Sequence, residues 1–141
     1  ASSVLDPAWP EEVPGDRPTL IVAEGLSMYL PPDEGRRLFR RLVQRFPEGE
    51  LAVDSYSRLA VRLGKLNPVL RRAGATLRWG IDGPRELEGT IPGLHLVQAL
   101  RAYDLTGPVM DRLPRAYRVS LWLMQRIPPM GNLGLLLRYH Y

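Results

Sequence analysis

The chain has 141 residues, 45% of them hydrophobic and 24% charged, a balance typical of one globular domain with its own core. It contains no cysteine, which excludes disulfides and thiolate metal sites, and no apolar run approaches the roughly 20 residues of a membrane span. The net charge of +4 comes from arginines and a single lysine, Lys65, which are interleaved with acidic residues. Because the basic residues are spread along the chain and no RNA-binding motif, zinc finger or signal peptide appears, we expect no nucleic-acid partner, no membrane partner and a cytoplasmic location.

The first part of the chain indicates two strands separated by a loop. Residues 2–5, which end at Asp6-Pro7, fit the last residues of a strand. The sequence "PEEVPGDRP" (residues 10–18) contains three prolines and a glycine, and this composition predicts a loop. A continuous apolar run, Thr19–Ala23, follows. Such a run predicts a strand that is buried on both faces, as in a parallel sheet.

The next segment has the pattern of a βαβ unit. Pro31 or Pro32 is expected to begin a helix, because proline is favoured in the first turn and the acidic residues after it complement the helix dipole. A second strand, Glu50–Ser55, completes the unit. Apolar residues recur at helical spacing and predict the buried face of the helix: Leu38, Phe39, Leu42, Val43 and Phe46.

The rest of the chain predicts short helices and two further strands. Alternating strands and helices favour an open α/β sheet, in which an edge strand can be antiparallel. The expected elements are a helical region at 57–73 interrupted near Asn67-Pro68, one or two helical turns that begin at Pro84, a strand at 93–100, a helix at 116–127 and a last strand at 135–141.

A carboxylate follows the first strand of the βαβ unit. Glu24 comes directly after the apolar run, and Gly25 leaves room for a ligand or another backbone to come close. Because open α/β sheets bind ligands outside the carboxyl ends of their strands, Glu24 is a candidate to contact a cationic or hydroxyl-bearing ligand. The alternative is a strand-end glutamate that is solvated or paired with one of the many arginines.

Asp54 stands at the corresponding end of the second strand. It is followed by Ser55, Tyr56 and Ser57. These residues either form a polar cluster on the substrate side or mark the start of a helix, with Ser55 or Ser57 as the N-cap.

No metal site is expected. The two histidines, His95 and His140, lie in predicted strands with no carboxylate at metal-ligand spacing. Trp79, Tyr103 and Trp122 are candidates to line a pocket, although such aromatic residues also pack in cores and lids. The sequence has no glycine-rich nucleotide motif and no nucleophile-elbow motif.

The stretch "PTLIVAEGLSMYLPPDEGRRLFRRLVQRFPEGELAVDSYS" (residues 18–57) resembles the leucine carboxyl methyltransferase family. It is most similar to the bacterial branch of that family, the tetracenomycin-type polyketide O-methyltransferases. In the family a strand ends in Ala-Glu-Gly or Ala-Glu-Cys, and a segment ending in Tyr-Leu or Tyr-Met leads into a helix. Residues 23–25 and 29–31 match this pattern. "SSVLDPAW", "WGIDGPRELE" and "LLLRYHY" resemble the family's adenine-pocket stretch, lid region and last strand, so the resemblance covers essentially all 141 residues.

The resemblance implies a Rossmann-like fold that uses S-adenosylmethionine. The family's glutamate at the position of Glu24 contacts this cofactor, and an anion there offsets the positive charges of its ammonium and sulfonium groups. Gly25 belongs to the same block. Ser3, Val4 and Asp6 are implied to lie near the adenine.

The resemblance also implies methyl transfer to a carboxylate or a hydroxyl of a small molecule such as a polyketide. Tyr29, Trp79 and Tyr103 are then expected in the substrate or lid region. A carboxylate acceptor needs no general base, whereas a hydroxyl acceptor benefits from one. The catalytic residues remain unknown, with Asp54 and Tyr56 as candidates.

The family's N-terminal half carries the first strands, a glycine-containing cofactor loop and the acidic residue that holds the ribose, none of which this sequence contains. We therefore expect residues 1–141 to form one partial domain, the C-terminal half of a methyltransferase, with a lid-like region at about 57–129. The expected partners are the missing half or a second copy of the chain, and a small-molecule methyl acceptor. Alone, the chain is expected to be inactive. The alternative hypothesis is a non-catalytic α/β binding or interaction module.

Overall fold

The computed structural model describes residues 3–101, 112–126 and 133–141, which form a four-stranded sheet with a long helix against one face. Short 3-10 helices lie at Trp9–Glu12 and Ser27–Tyr29. The strands and longer helices, numbered in chain order, are β1 (Thr19–Ala23), α1 (Pro32–Arg45), β2 (Gly49–Tyr56), α2 (Arg58–Gly64), α3 (Pro68–Arg72), β3 (His95–Arg101), α4 (Arg115–Arg126) and β4 (Gly134–His140).

The predicted βαβ unit is confirmed. β1 and β2 are parallel, with Thr19 opposite Gly49 and Ala23 opposite Val53. α1 has a proline in its first turn, acidic residues beside it and an arginine in its last turn, which is the charge order that a helix dipole favours. The predicted apolar face of α1 is buried against the sheet, with these residues at its centre: Leu38, Phe39, Leu42 and Phe46.

The sheet order is β1-β2-β4-β3. β4 is antiparallel to both of its neighbours, so β3 runs in the same direction as β1 and β2. The antiparallel strand that we expected at an edge therefore lies inside the described sheet. Its core-facing residues, Leu135, Leu137 and Tyr139, are all buried, which fits a strand that is paired on both sides.

The two faces of the sheet differ in what covers them. The side chains of Leu51 and Val53 join the core cluster beneath α1. On the opposite face, Leu20 and Val22 are 64% and 63% exposed. The expectation that β1 is buried on both faces is therefore wrong for the described residues, because an apolar run does not reveal whether the same chain supplies a second covering layer.

Residues 75–94 contribute to the core without forming a regular helix or strand. Backbone hydrogen bonds fasten this segment, since Arg78 N donates to Met28 O at 2.7 Å and Ile81 N donates to Tyr56 O at 2.8 Å. Where helical turns were predicted to begin at Pro84, the backbone makes consecutive turns and no regular helix. The buried apolar residues of the segment are Leu77, Trp79, Ile81, Leu87, Ile91 and Leu94.

The polar residues after β2 act as helix caps. Ser57 Oγ accepts a hydrogen bond from Ala60 N at 3.1 Å, so the alternative in which Ser57 is an N-cap is confirmed. Asn67 Oδ1 accepts from Val69 N at 2.9 Å and begins α3. The predicted interruption of the helical region at Asn67-Pro68 is therefore confirmed.

The strand predicted at residues 2–5 is wrong for the described residues 3–5. Residues 4 and 5 lie in a turn that is closed by a hydrogen bond of 3.0 Å from Asp6 N to Ser3 O. The carboxylate of Asp6 also accepts from Ala8 N at 2.9 Å. Such local side-chain bonds compete with extended backbone, and this explains why the stretch becomes a turn.

Candidate cofactor and substrate site

The structure brings together three residues that the sequence analysis considered separately. Glu24 and Gly25 directly follow β1, and Asp54 lies near the end of the neighbouring parallel strand. Gly25 N donates a hydrogen bond of 2.9 Å to Asp54 Oδ1. The two carboxylates therefore lie at the same edge of the sheet, outside the carboxyl ends of parallel strands, where open α/β sheets bind ligands.

Gly25 leaves this edge open. Its φ of +62° is in the left-handed region, which a residue with a Cβ adopts only at a cost. An added Cβ at this position would meet nothing within 4 Å. The glycine is thus required by its backbone conformation, and the space beside it is available to a ligand.

The environment of Asp54 disfavours its charged form. Partial burial is the largest influence and raises the pKa of Asp54, and the nearby negative charge of Glu24 acts in the same direction. The hydrogen bond from the Gly25 N–H opposes this rise. A positively charged ligand near both carboxylates would relieve their repulsion, so the electrostatics of this edge favour a cation.

Ser27 is a contributor that the sequence analysis missed. Its side chain is buried, and its Oγ donates a hydrogen bond of 2.6 Å to the backbone oxygen of Asp54. The segment after β1 is thereby fastened to β2 at a second point. The only sign of this role in the sequence is a single serine within the stretch "LSMYL".

Tyr29 and Tyr56 line one cavity, which we call the tyrosine cavity. It has a volume of about 280 Å³ and lies where β2, α2, α3 and residue 77 meet. Leu63, Leu70 and Leu133 form part of its apolar wall. The structure thus brings a predicted substrate-region residue and a predicted catalytic candidate to the same cavity, although neither role is tested by this geometry.

A second cavity, the sheet-face cavity, lies on the uncovered face of the sheet. Its volume is about 270 Å³, and it extends over Val22, Leu100 and Leu136 to Glu24 and Asp54 at the strand ends. Both carboxylates therefore adjoin an apolar surface that the described residues leave open.

The N-terminal stretch is tied to its own turn and to α1. Ser3 Oγ accepts from Leu5 N at 3.2 Å, and Arg41 Nη2 donates to Asp6 O at 3.2 Å. Val4 packs against the core cluster. The adenine contacts expected of Ser3, Val4 and Asp6 stay predictions.

Trp79 is packed inside the fold. It is 3% exposed, its ring centroid lies 5.9 Å from that of Phe39, and a Cβ added to Gly35 would overlap the indole. These contacts are those of a core residue, and a substrate role for Trp79 stays a prediction. Tyr103, the third residue expected in the substrate or lid region, lies outside the described residues.

In the part of the chain that the structure describes, no group of three or more histidine or acidic residues has the arrangement of a metal site. None of the helices in these ranges is long and apolar enough to cross a membrane.

Two solved structures share this α/β fold. A DUF574-family protein of Streptomyces avermitilis superposes with a TM-score of 0.62 at 14% identity, over 98% of this chain and 52% of its own. A proposed methyltransferase of Thermobifida fusca gives a TM-score of 0.61 at 18% identity, over 98% of this chain and 51% of its own. The predicted fold class is confirmed.

The predicted resemblance to the tetracenomycin-type O-methyltransferases is also confirmed. Over 99% of its length, the chain is 36% identical to the tetracenomycin polyketide synthesis O-methyltransferase TcmP of Streptomyces glaucescens. The match covers 51% of that protein. Over 64% of its length, it is 39% identical to the S-adenosyl-L-methionine-dependent methyltransferase dpfgK of Gibberella zeae, and this match covers 33% of that protein. No family model matches the chain. The chain thus spans about half, or less, of each curated relative, and placement in the wider leucine carboxyl methyltransferase family stays a prediction.

Proposed function

We propose that this chain is the C-terminal half of an S-adenosylmethionine-dependent O-methyltransferase that acts in the cytoplasm. One observation carries the proposal: Glu24 and Gly25 stand at the carboxyl end of a parallel strand, with open space beside the glycine. They belong to the sequence block that resembles the cofactor stretch of the family. The similarity to TcmP over nearly the whole chain supports this assignment.

S-adenosylmethionine fits this strand end by its charge and by the space available. When bound, it supplies a methyl group on a positively charged sulfonium. Glu24 would stabilise the cationic end of the cofactor, and Gly25 would allow the cofactor to approach the backbone, because no side chain occupies that space. We propose Ser3, Val4 and Asp6 as contacts of the adenine on the basis of the resemblance alone.

The tyrosine cavity is our proposed site for the methyl acceptor. Its volume of about 280 Å³ and its leucine-rich wall suit a small, largely apolar molecule, and its two tyrosines suit a hydroxyl on that molecule. A polyketide-derived phenol has this chemistry, and the name of TcmP supports it. In the transfer, a C–O bond would form at the acceptor oxygen as the methyl C–S bond breaks, the sulfonium would leave as a neutral thioether, and the acceptor's proton would pass to solvent. The task of Tyr29 and Tyr56 is to hold the acceptor oxygen in position.

The uncovered sheet face supports the proposal that a second half is required. Leu20 and Val22 of β1 and Leu136 of β4 expose apolar surface that a complete α/β domain covers with helices. We propose that the part of the enzyme outside this sequence packs on that face and supplies the rest of the cofactor site. When that part is missing, a second copy of the chain is the expected substitute, because uncovered apolar faces and unpaired edges favour association.

A cofactor titration of the full-length gene product tests the proposal. Glu24→Gln keeps the shape of the side chain and removes its charge, so we expect the affinity for S-adenosylmethionine to fall about ten- to a hundredfold, with little change in Tm. The exposed carboxylate of Glu12 provides a matched control, and Glu12→Gln is expected to bind like the wild type.

Each outcome bears on a different part of the proposal. Equal affinity in the wild type and Glu24→Gln would contradict the role of Glu24. If the wild-type gene product fails to bind S-adenosylmethionine, the methyltransferase assignment is wrong and the non-catalytic binding module is favoured. The 141-residue chain alone is expected to bind the cofactor weakly or not at all, and a micromolar dissociation constant for it would contradict the need for a second half.

A further inference from the structure

Two hydrogen bonds join Asp54 to the segment that follows β1. Its carboxylate accepts from Gly25 N at 2.9 Å, and its backbone oxygen accepts from Ser27 Oγ at 2.6 Å. The partners are 29 and 27 residues away along the chain. Asp54 therefore links the ends of the two parallel strands at the edge where Glu24 lies.

The conformation of Gly25 gives the first of these bonds a specific role. Gly25 has no side chain to pack, and a Cβ at this position would be in open space. Packing around a side chain therefore does not hold the residue at its φ of +62°. The hydrogen bond from Gly25 N fixes the peptide that connects it to Glu24, and the direction of this peptide sets where the Glu24 side chain begins.

We propose that Asp54 is a positioning residue whose carboxylate holds the Glu24–Gly25 peptide in place, so that Glu24 faces the cofactor. This inference rests on the proposed function. It also assigns Asp54 a role other than the general base considered from the sequence. One of the two carboxylate oxygens is already engaged by the Gly25 N–H.

The two roles make different demands on the side chain. A positioning residue needs an oxygen that accepts a hydrogen bond at the place of Oδ1, and it does not need a charge. A general base needs a carboxylate that can take a proton. Asparagine has the same shape as aspartate and retains the accepting oxygen, whereas alanine removes it. Asp54→Asn and Asp54→Ala therefore separate the two roles.

The experiment uses the full-length gene product with three variants and two kinds of measurement. The first measurement is amide hydrogen exchange of Gly25, which reports the hydrogen bond directly. The second comprises the affinity for S-adenosylmethionine and the kcat and KM of methyl transfer to a phenolic acceptor. Asp16→Asn is the control, because Asp16 is an exposed carboxylate in the loop before β1.

If Asp54 is a positioning residue, Asp54→Asn keeps Gly25 exchange and kcat close to wild type, and it lowers cofactor affinity less than Asp54→Ala, because it removes a charge but keeps the accepting oxygen. Asp54→Ala is expected to speed the exchange of Gly25 and to weaken cofactor binding about tenfold or more, with a smaller change in kcat at saturating cofactor. Rescue by asparagine distinguishes positioning from general destabilisation, because the conservative variant restores only the accepting oxygen.

Two results would overturn the inference. One is unchanged Gly25 exchange and unchanged cofactor affinity in Asp54→Ala. The other is a loss of kcat in Asp54→Asn with cofactor affinity retained, which identifies a base. Gly25 exchange is measured without cofactor, so it tests the hydrogen bond whether or not the protein binds S-adenosylmethionine. A gene product that binds no S-adenosylmethionine would refute the proposed function.

Discussion

The same strands of this protein present two faces that differ in what they contact. Leu137 is 2% exposed within the core beneath α1, whereas the adjacent Leu136 is 49% exposed on the opposite face. Both are leucines on β4, so neither residue type nor strand explains the contrast. It arises because successive side chains of a strand point in opposite directions, and the described residues supply a helix layer on only one side.

The contrast separates interactions made within this chain from those that the proposed second half would supply. The core face has its apolar partners within the chain, and it should account for most of the stability of the isolated chain. The open face contains the sheet-face cavity and adjoins Glu24 and Asp54. Its apolar side chains should contribute to stability only when another layer covers them.

The largest expected effect comes from two leucines that differ only in their face. Leu137→Ala should lower the free energy of unfolding by about 2–5 kcal/mol, because it removes buried methyl groups and leaves a cavity. Leu136→Ala on the exposed face should cost less than about 1 kcal/mol in the isolated chain. Urea unfolding of both variants measures the difference, and equal losses would contradict the view that one face is uncovered.

A smaller effect is expected from Tyr139, which fastens the loop at Pro84 to the core face. Tyr139 OH donates a hydrogen bond of 2.6 Å to Pro84 O. Tyr139→Phe keeps the ring and leaves that carbonyl without its donor, so the free energy of unfolding should fall by about 1–3 kcal/mol. A loss below about 0.5 kcal/mol, as for an ordinary surface substitution, would argue against this role.

The same hydroxyl predicts a dependence of stability on alkaline pH. Burial is the main cause that raises the pKa of Tyr139 in the folded chain, and the charges of Glu88 and Glu86 add to it. Its contribution is therefore fully present below the unfolded pKa of about 10 and decreases as the pH rises above that value. Burial also raises the pKa of Tyr141, which acts in the same direction. The Tm of Tyr139→Phe should decline less steeply than that of the wild type between about pH 9 and about pH 11. An unchanged decline would exclude Tyr139 as its source.

The smallest effect on folding is expected on the open face, where assembly should change instead. The double variant Val22→Thr, Leu20→Thr replaces apolar side chains by a polar residue with high strand propensity, so the isolated chain should keep its stability within about 0.5 kcal/mol. Its tendency to self-associate should decrease, because less apolar surface is exposed. Light scattering over a range of concentrations measures this, and a wild-type chain that stays monomeric at high concentration would contradict the expected association.

The elements that local sequence predicted well are those with local causes. α1 was predicted because Pro32 suits a first turn and its apolar residues recur at helical spacing. β1 was predicted from a short apolar run between turn residues, and β2 as the strand that completes the βαβ pattern. The strand expected at residues 2–5 failed because hydrogen bonds within the turn at Ser3–Asp6 replace the pairing that a strand needs.

The candidate site was predicted in part. Glu24 and Asp54 were each singled out as strand-end carboxylates, and their meeting at one edge follows from the parallel register of Ala23 with Val53. The bonds from Gly25 N and Ser27 Oγ to Asp54 depend on residues almost 30 positions apart, so no local pattern indicates them. The shared cavity of Tyr29 and Tyr56 likewise depends on how distant segments pack.

The sequence by itself determined the βαβ unit, the α/β class, the strand-end glutamate and the resemblance to a methyltransferase, because each depends on residue type and short spacing. Only the tertiary structure decided that β4 lies between β2 and β3, that one face of β1 remains open, and that the carboxylate of Asp54 accepts a hydrogen bond from Gly25 N. Strand order and long-range hydrogen bonds are set by the packing of the whole chain. Alternation within a strand predicts two faces, but what covers each face depends on elements elsewhere in the fold.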